Sequence, residues 1–185
     1  YINFSMDSII QADLYRYGRL TGRSGLLKGW LDPGFRYMFL YRKVQKHKRW
    51  TIRGLYYRIL KRIFTYHGYQ INSDASIAGG FQLYHRGTVI IGPVIIGKNC
   101  SVSHNVTIGR SYRGGQLGRP TIGDFVWIGT GAVVVGKIRI GNDVLIAPNC
   151  FVNFDVPDNS LVIGNPGKII HKINPTKNYI KDVLL

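Results

Sequence analysis

An aliphatic side chain returns at every sixth position through the middle of this chain: Ile96, Val102 and Ile108, then Ile122, Ile128, Val134, Ile140, Ile146 and Val152. A second set of small or branched residues follows four positions after most of these, at Cys100, Val106, Val126, Ala132, Ile138, Val144, Cys150 and Val156. Neither the 3.6-residue period of a helix nor the two-residue alternation of a hairpin meander yields a strict six. A short strand followed by a corner does, with one aliphatic per strand turned inward. Stacked coils of that kind bury a continuous apolar column, the logic of a hexapeptide-repeat solenoid. The expected fold class is mainly β, a parallel β-helix with an N-terminal α-helical region.

The period breaks between Ile108 and Ile122. Residues 110–121, RSYRGGQLGRPT, are rich in Gly and Arg and carry no apolar period, so they are expected to project as a loop. Upstream the period extends through Ile71, Ile77 and Leu83, slips by one residue to Ile90, and rejoins at Ile96. The chain is therefore divided into a basic helical region 1–69, a β-helix 70–172 and a C-terminal tail 173–185.

In the first part, Asp7 or Ser5 is expected to cap a helix over about 7–17, and residues 21–25 to form a loop. Asp32-Pro33 reads as the start of a second helix. Residues 43–49 read as a basic link. A third helix runs from Thr51 to about Tyr66, ended by Gly68, with Ile52, Leu55, Tyr56, Ile59, Leu60 and Ile63 at helical spacing among Arg and Lys.

The net charge is +16, and residues 1–70 hold 14 Lys and Arg against 3 Asp. So basic a segment suggests an acidic partner. Two readings of the third helix stand side by side: peripheral contact with an anionic membrane, and an apolar side packed on the end of the solenoid, which is preferred. No recognition motif supports nucleic-acid binding. No apolar run is long enough to cross a membrane, and the first residues lack the pattern of a signal peptide. The two Cys fall at inward repeat positions and read as core residues. These features favour a cytoplasmic protein, with the inner face of the membrane as the place for any peripheral contact.

If three hexads make one coil, Leu83 and Val102 start strands one coil apart. His85 and His104 are each two residues further, so their imidazoles should stack on one outer face, with backbones about 4.8 Å apart. A pair of histidines near a basic loop suits general-base chemistry at neutral pH. No Cys, Asp or Glu falls at ligand spacing beside them, so no metal is expected. His47, His67 and His171 have no evident partner and read as structural.

The tandem hexads, LYHRG around His85, SVSHNVTIG, the loop with Gly114-Gly115 and Arg119-Pro120, and the ending VPDNSLVIGNPGKII resemble the hexapeptide-repeat acyltransferases. The resemblance is to the serine acetyltransferase group and its relatives that acetylate bacterial surface polysaccharides. It implies a left-handed β-helix of triangular section and a homotrimer with acyl-CoA in the groove between subunits. It matches His85 to the catalytic base, and Gly109, Thr130, Pro148 and Lys168 to positions that hold CoA. It also implies that loop 110–121 reaches an adjacent active site.

Against that pattern, Tyr84 stands where the serine enzymes have an Asp before the base, Gln70 where an Asp orients it, and Arg119 where a loop His helps hold serine. A further Asp of the serine enzymes, from their helical domain, has its place near Thr21. Those carboxylates would grip an ammonium group, so their loss argues against serine. His104 resembles the colanic acid acetyltransferase type. The expected activity is thus acetyl-CoA-dependent O-acetylation of a sugar hydroxyl on a surface polysaccharide or its precursor, in a ternary complex. His85 and His104 would be catalytic. Tyr84, Arg113 and Arg119 would meet the glycan acceptor, though the two arginines suit CoA phosphates equally. Gln70, Asp74, His104 or a backbone carbonyl would fix the tautomer of His85. The alternatives are serine O-acetyltransferase, a non-catalytic membrane- or partner-binding scaffold, and a β-helix carbonic anhydrase.

Overall fold

The computed structural model describes residues 4–65, 68–112, 115 and 117–184. Four helices come first: α1 (Phe4–Tyr15), α2 (Gly22–Leu31), α3 (Pro33–Lys46) and α4 (Ile52–Thr65). α3 begins as its sequence requires, with Asp32 Oδ1 accepting from the amides of Gly34 (2.8 Å) and Phe35 (3.1 Å). α1 starts upstream of both expected caps, Asp7 and Ser5. α2 occupies residues expected to be a loop. Its glycines disfavour a helix intrinsically, yet packing overrides that preference. A Cβ at Gly29 would lie 2.6 Å from Leu14 and 2.9 Å from Phe35, so glycine is what lets α2 close on its neighbours.

The solenoid follows in five coils: β1 (Tyr69–Ile71), β2 (Ser76–Ile77) and β3 (Gln82–Leu83); β4 (Val89–Ile91), β5 (Ile95–Ile96) and β6 (Ser101–Val102); β7 (Val106–Gly109), β8 (Thr121–Ile122) and β9 (Val126–Ile128); β10 (Val133–Val135), β11 (Arg139–Ile140) and β12 (Val144–Ile146); then β13 (Phe151–Val152) and β14 (Ser160–Ile163), closed by an antiparallel β15 (Lys168–His171). Each of the first four coils adds one parallel strand to each of three sheets, and the fifth adds one to two of them, giving the orders β1-β4-β7-β10-β13, β2-β5-β8-β11 and β3-β6-β9-β12-β14-β15. All nine hexad aliphatics from Ile96 to Val152 are buried, as is the second set from Cys100 to Val156. Burying each aliphatic contributes about 1.5–3 kcal/mol.

The register upstream differs from expectation. Ile90 is 41 % exposed, while Val89 and Ile91 face the core. Ile91, not Ile90, pairs with Ile71 and Ile108. The turn after Leu83 holds one residue more than supposed, and the next corner one fewer. Because strand faces alternate, that one-residue difference swaps inside for outside.

The open lower edge of the first coil is capped by the helices. Tyr37 of α3 accepts from the Ile71 amide (2.9 Å), Asp13 of α1 from Phe81 (2.9 Å), and Tyr17 from Leu83 (3.1 Å). The hydroxyl of Tyr41 donates to the Ala75 carbonyl, and Arg42 to those of Ile77 and Ala78. Arg42 is itself fully buried against Asp13 (2.9 and 3.2 Å). The exposed strand edge that would otherwise invite association is thereby satisfied.

α4 packs the other way from the preferred reading. Gly54, Tyr57, Lys61 and Phe64 turn inward, whereas Ile52, Leu55, Tyr56, Ile59 and Ile63 are exposed. α3 already covers the solenoid end, which leaves the aliphatic side of α4 with nothing to cover among the described residues. The C-terminal segment is no loose tail. Thr176 bonds Asp143, Tyr179 packs on Trp127 (4.6 Å between rings) and accepts from the Tyr84 hydroxyl (3.3 Å), and Asp182 meets Arg19 (2.7 Å). It runs as a strap down one sheet face to the helical region.

Candidate active site

Leu83 pairs with Val102, Val102 with Ile128, and Ile128 with Ile146. Two residues beyond each stands His85, His104, Thr130 and Pro148, so these four form a column on one corner of the prism. The rings of His85 and His104 meet edge to face, 5.7 Å between centroids. His85 departs from its column in one respect. In later coils the left-handed corner residue comes third after the inward residue, at Asn105 and Asn149, but in the first coil it is His85 itself, with φ 59°. This held conformation costs on the order of 1–3 kcal/mol and is common at functional sites. Its carbonyl accepts from the Tyr69 hydroxyl (2.8 Å), which fixes the turn.

His85 is exposed, and His104 is half-buried beneath it. Nδ1 of His104 is shut off from solvent and finds no hydrogen-bond partner among the described residues. Gly87 lies against His104, with no room there for a side chain.

His85 opens on a cavity of about 370 Å³ walled by Tyr84, Arg86, Tyr69, Tyr17 and Asp32. Asp32 is its one carboxylate among the described residues. The sequence showed Asp32 only as a helix start, because nothing local signals that α3 begins at this corner. Tyr84 lies beside His85, its ring 6.2 Å away, where it was expected. Gln70 and Asp74 do not reach the His85 ring. Gln70 lines a separate cavity of about 530 Å³ beneath α4, and Asp74 lies in the turn after β1.

Other expected residues are dispersed. Gly109 closes β7 at the end far from His104, at the root of the projecting loop, and a Cβ there would meet nothing. Lys168 opens β15 at the C-terminal end. Arg119 binds the Pro93 carbonyl (3.2 Å) at the next corner of the prism. The loop thus leaves from the opposite end of β7, and none of its described residues lines the His85 cavity. Arg113, Gly114 and His67 lie outside the described residues. Among the described residues no three His, Cys, Asp or Glu side chains gather as a metal site. Both thiols are buried, and burial pushes Cys100 up to about 12 and Cys150 also upward, so neither is a ready nucleophile.

The family model "Bacterial transferase hexapeptide (six repeats)" matches residues 119–153. The serine acetyltransferase of Helicobacter pylori is 35% identical over 147 residues, 77% of this chain and 84% of that protein. Across other curated relatives the chain spans between 36% and 69% of their own length, and 50% of the serine acetyltransferase of Mycobacterium tuberculosis. The crystal structure of Neisseria gonorrhoeae serine acetyltransferase in complex with serine superposes with a TM-score of 0.72 at 30% identity, covering 89% of this chain and 69% of that one. That of the Brucella abortus enzyme in complex with Coenzyme A gives 0.72 at 25%, covering 90% and 68%. The two superpositions cover about nine tenths of this chain. They correct the placement nearer the colanic acid type, which rested on a handful of substituted site positions. The chain belongs to the serine acetyltransferase family, hexapeptide-repeat transferases with a left-handed β-helix.

Proposed function

We propose that this protein is an acetyl-CoA-dependent O-acetyltransferase whose acceptor, on the strength of its relatives, is the hydroxyl of L-serine. The observation that carries the reading is the His85–His104 pair, with His85 facing the cavity walled by Tyr84, Tyr69 and Asp32, in a chain of this family. His85 takes the hydroxyl proton as the acceptor oxygen attacks the thioester carbonyl. The new C–O ester bond forms, the C–S bond breaks, and His85 returns the proton to the departing sulfur. Acceptor and donor are bound together, since the buried thiols offer no place for an acyl-enzyme. General-base help of this kind is worth about 10²–10⁴-fold. His104 supports His85 edge-on.

The donor would lie along the column above His104, past Thr130 and Pro148, with Lys168 at its further reach, whereas Gly109 stands at the other end of β7. Arg119 and Arg113 would act on a neighbouring subunit of a homotrimer. The outward aliphatic stripe of α4, flanked by Arg53 and Arg62, suits the surface of an anionic membrane; no Asp or Glu occurs between Asp32 and Asp74.

A sugar hydroxyl is the second reading of the acceptor. It is favoured by the absence of a carboxylate at Tyr84 and by the distance of Gln70 from the base. Release of free thiol from acetyl-CoA with L-serine, compared with sugars, decides between them. His85→Ala should lower turnover by about 10²–10⁴-fold with CoA affinity unchanged; near-normal turnover with a working acceptor would remove His85 from its role.

A further inference from the structure

Arg16, at the end of α1, is 2 % exposed, and its charge is unmatched. Its guanidinium donates to the Gly80 carbonyl (3.2 Å), the Gln82 side-chain oxygen (3.2 Å) and the Ser101 hydroxyl (2.8 Å), all neutral. Nε has no partner, and no carboxylate among the described residues lies at ion-pair distance. Arg42, also buried, shows the contrast, since Asp13 neutralises it. A buried cation held only by neutral groups is costly unless something else supplies the negative charge.

Arg16 lines a cavity of about 400 Å³ whose rim carries Lys28 of α2 and Lys181 of the C-terminal strap. Of the two carboxylates on its wall, Asp182 is held by Arg19 at 2.7 Å and Asp32 caps α3. This cavity and the one at His85 share Tyr17, Asp32, Gln82 and Tyr84 as common walls. A molecule whose hydroxyl meets His85 therefore has a cationic recess on its far side.

We propose that Arg16, Lys28 and Lys181 form an anion subsite of the acceptor pocket, which holds a carboxylate or phosphate of the molecule acetylated at His85. The proposal rests on the acetyltransferase reading. A free amino acid and an acidic sugar could each bring the anion, and the same experiment separates them.

Acetyl transfer is followed with L-serine against L-serinamide, and with D-glucuronate against D-glucose. The wild-type chain is compared with Lys28→Ala/Lys181→Ala, two exposed positions that leave the core intact, and with Arg16→Lys and Arg16→Met. The charged member of one pair should be preferred at least tenfold in kcat/KM, and the pair that shows it names the source. The double variant should lose most of that preference, and Arg16→Lys should retain more than Arg16→Met. Equal use of charged and neutral partners, or a preference untouched in the double variant, overturns the proposal. Calorimetric binding of inorganic phosphate to wild type and its loss in the double variant is read without turnover. A chain that binds phosphate in this way but neither binds nor cleaves acetyl-CoA would refute the acetyltransferase reading and leave the anion site standing; one that cleaves acetyl-CoA but binds no phosphate would do the reverse.

Discussion

Gly87→Ala tests the histidine pair without touching either ring. Gly87 has φ 155°, and an ideal Cβ there would sit 2.7 Å from His104 Cβ and 3.5 Å from His104 Cγ. The obstacle is rigid, because the His104 backbone is held in the coil by its carbonyl bond to the Gly131 amide (3.1 Å). Placing alanine in that backbone region costs about 1–3 kcal/mol, and the overlap adds about 1–3 kcal/mol before relaxation. In a chain of this size each kcal/mol lowers Tm by roughly 2–4 °C, so the combined cost of about 2–6 kcal/mol predicts a drop of about 4–24 °C. The only inexpensive relief is to move the turn that carries His85. A misplacement of about 1 Å costs on the order of 10²-fold in rate. Thiol release with saturating acetyl-CoA should therefore show kcat lowered by about 10–100-fold, while calorimetry shows CoA affinity unchanged. A Tm that falls as expected beside a wild-type kcat/KM would mean that the mutual placement of the two rings does not matter for the chemistry.

Two further outcomes concern the helical region. Arg42→Met strands the buried Asp13 carboxylate and leaves the Ile77 and Ala78 carbonyls without their donor, so urea denaturation should show a loss of about 3–5 kcal/mol; Asp13→Leu/Arg42→Leu should be less damaging than either single change, and a loss under about 1 kcal/mol in Arg42→Met would contradict the capping role. The chain should co-sediment with vesicles containing anionic phosphatidylserine and not with neutral phosphatidylcholine, and Ile59→Glu on the exposed stripe should abolish this; indifference to lipid charge or to Ile59 would refute membrane contact.

The sequence made the prism legible because each strand advertises itself by one inward aliphatic, and five coils repeat the message. The pairing of Leu83 with Val102, and so of His85 with His104, followed from counting. Counting failed where the coil was irregular: the extra residue after Leu83 hid behind three consecutive β-branched side chains, Val89, Ile90 and Ile91, any of which could face inward. α2 was illegible because its glycines signal a loop locally and a close approach only once Leu14 and Phe35 are in place. The orientation of α4 was illegible for a related reason, since an amphipathic pattern shows that a helix has two sides but not which neighbour has already taken the core. Arg16, Asp32 and Lys181 escaped notice because they meet only through contacts between opposite ends of the chain.

The acceptor side is where the chain parts from its family pattern, and the difference is one of charge. Carboxylates suited to an ammonium group are missing at Tyr84 and Gln70, and a buried guanidinium stands behind the tyrosine. Among the described residues Asp32 is the one carboxylate on the His85 cavity, with both capping bonds directed to Oδ1. If L-serine is acetylated, Asp32 is the carboxylate that the described residues offer to its ammonium group. Asp32→Asn isolates that contact, because Asn caps helices about as well as Asp and α3 should start unchanged. For a serine enzyme the variant should raise KM for L-serine tenfold or more at constant CoA affinity, since a charge-assisted bond is worth about 1.5–3 kcal/mol. For an enzyme of acidic acceptors the same change removes a repulsion and should leave KM for the anionic substrate equal or lower. An Asp32→Asn variant with unaltered KM for L-serine, in a wild-type background that does acetylate serine, would show that the ammonium group is recognised elsewhere, with a neighbouring subunit's loop as the next place to look.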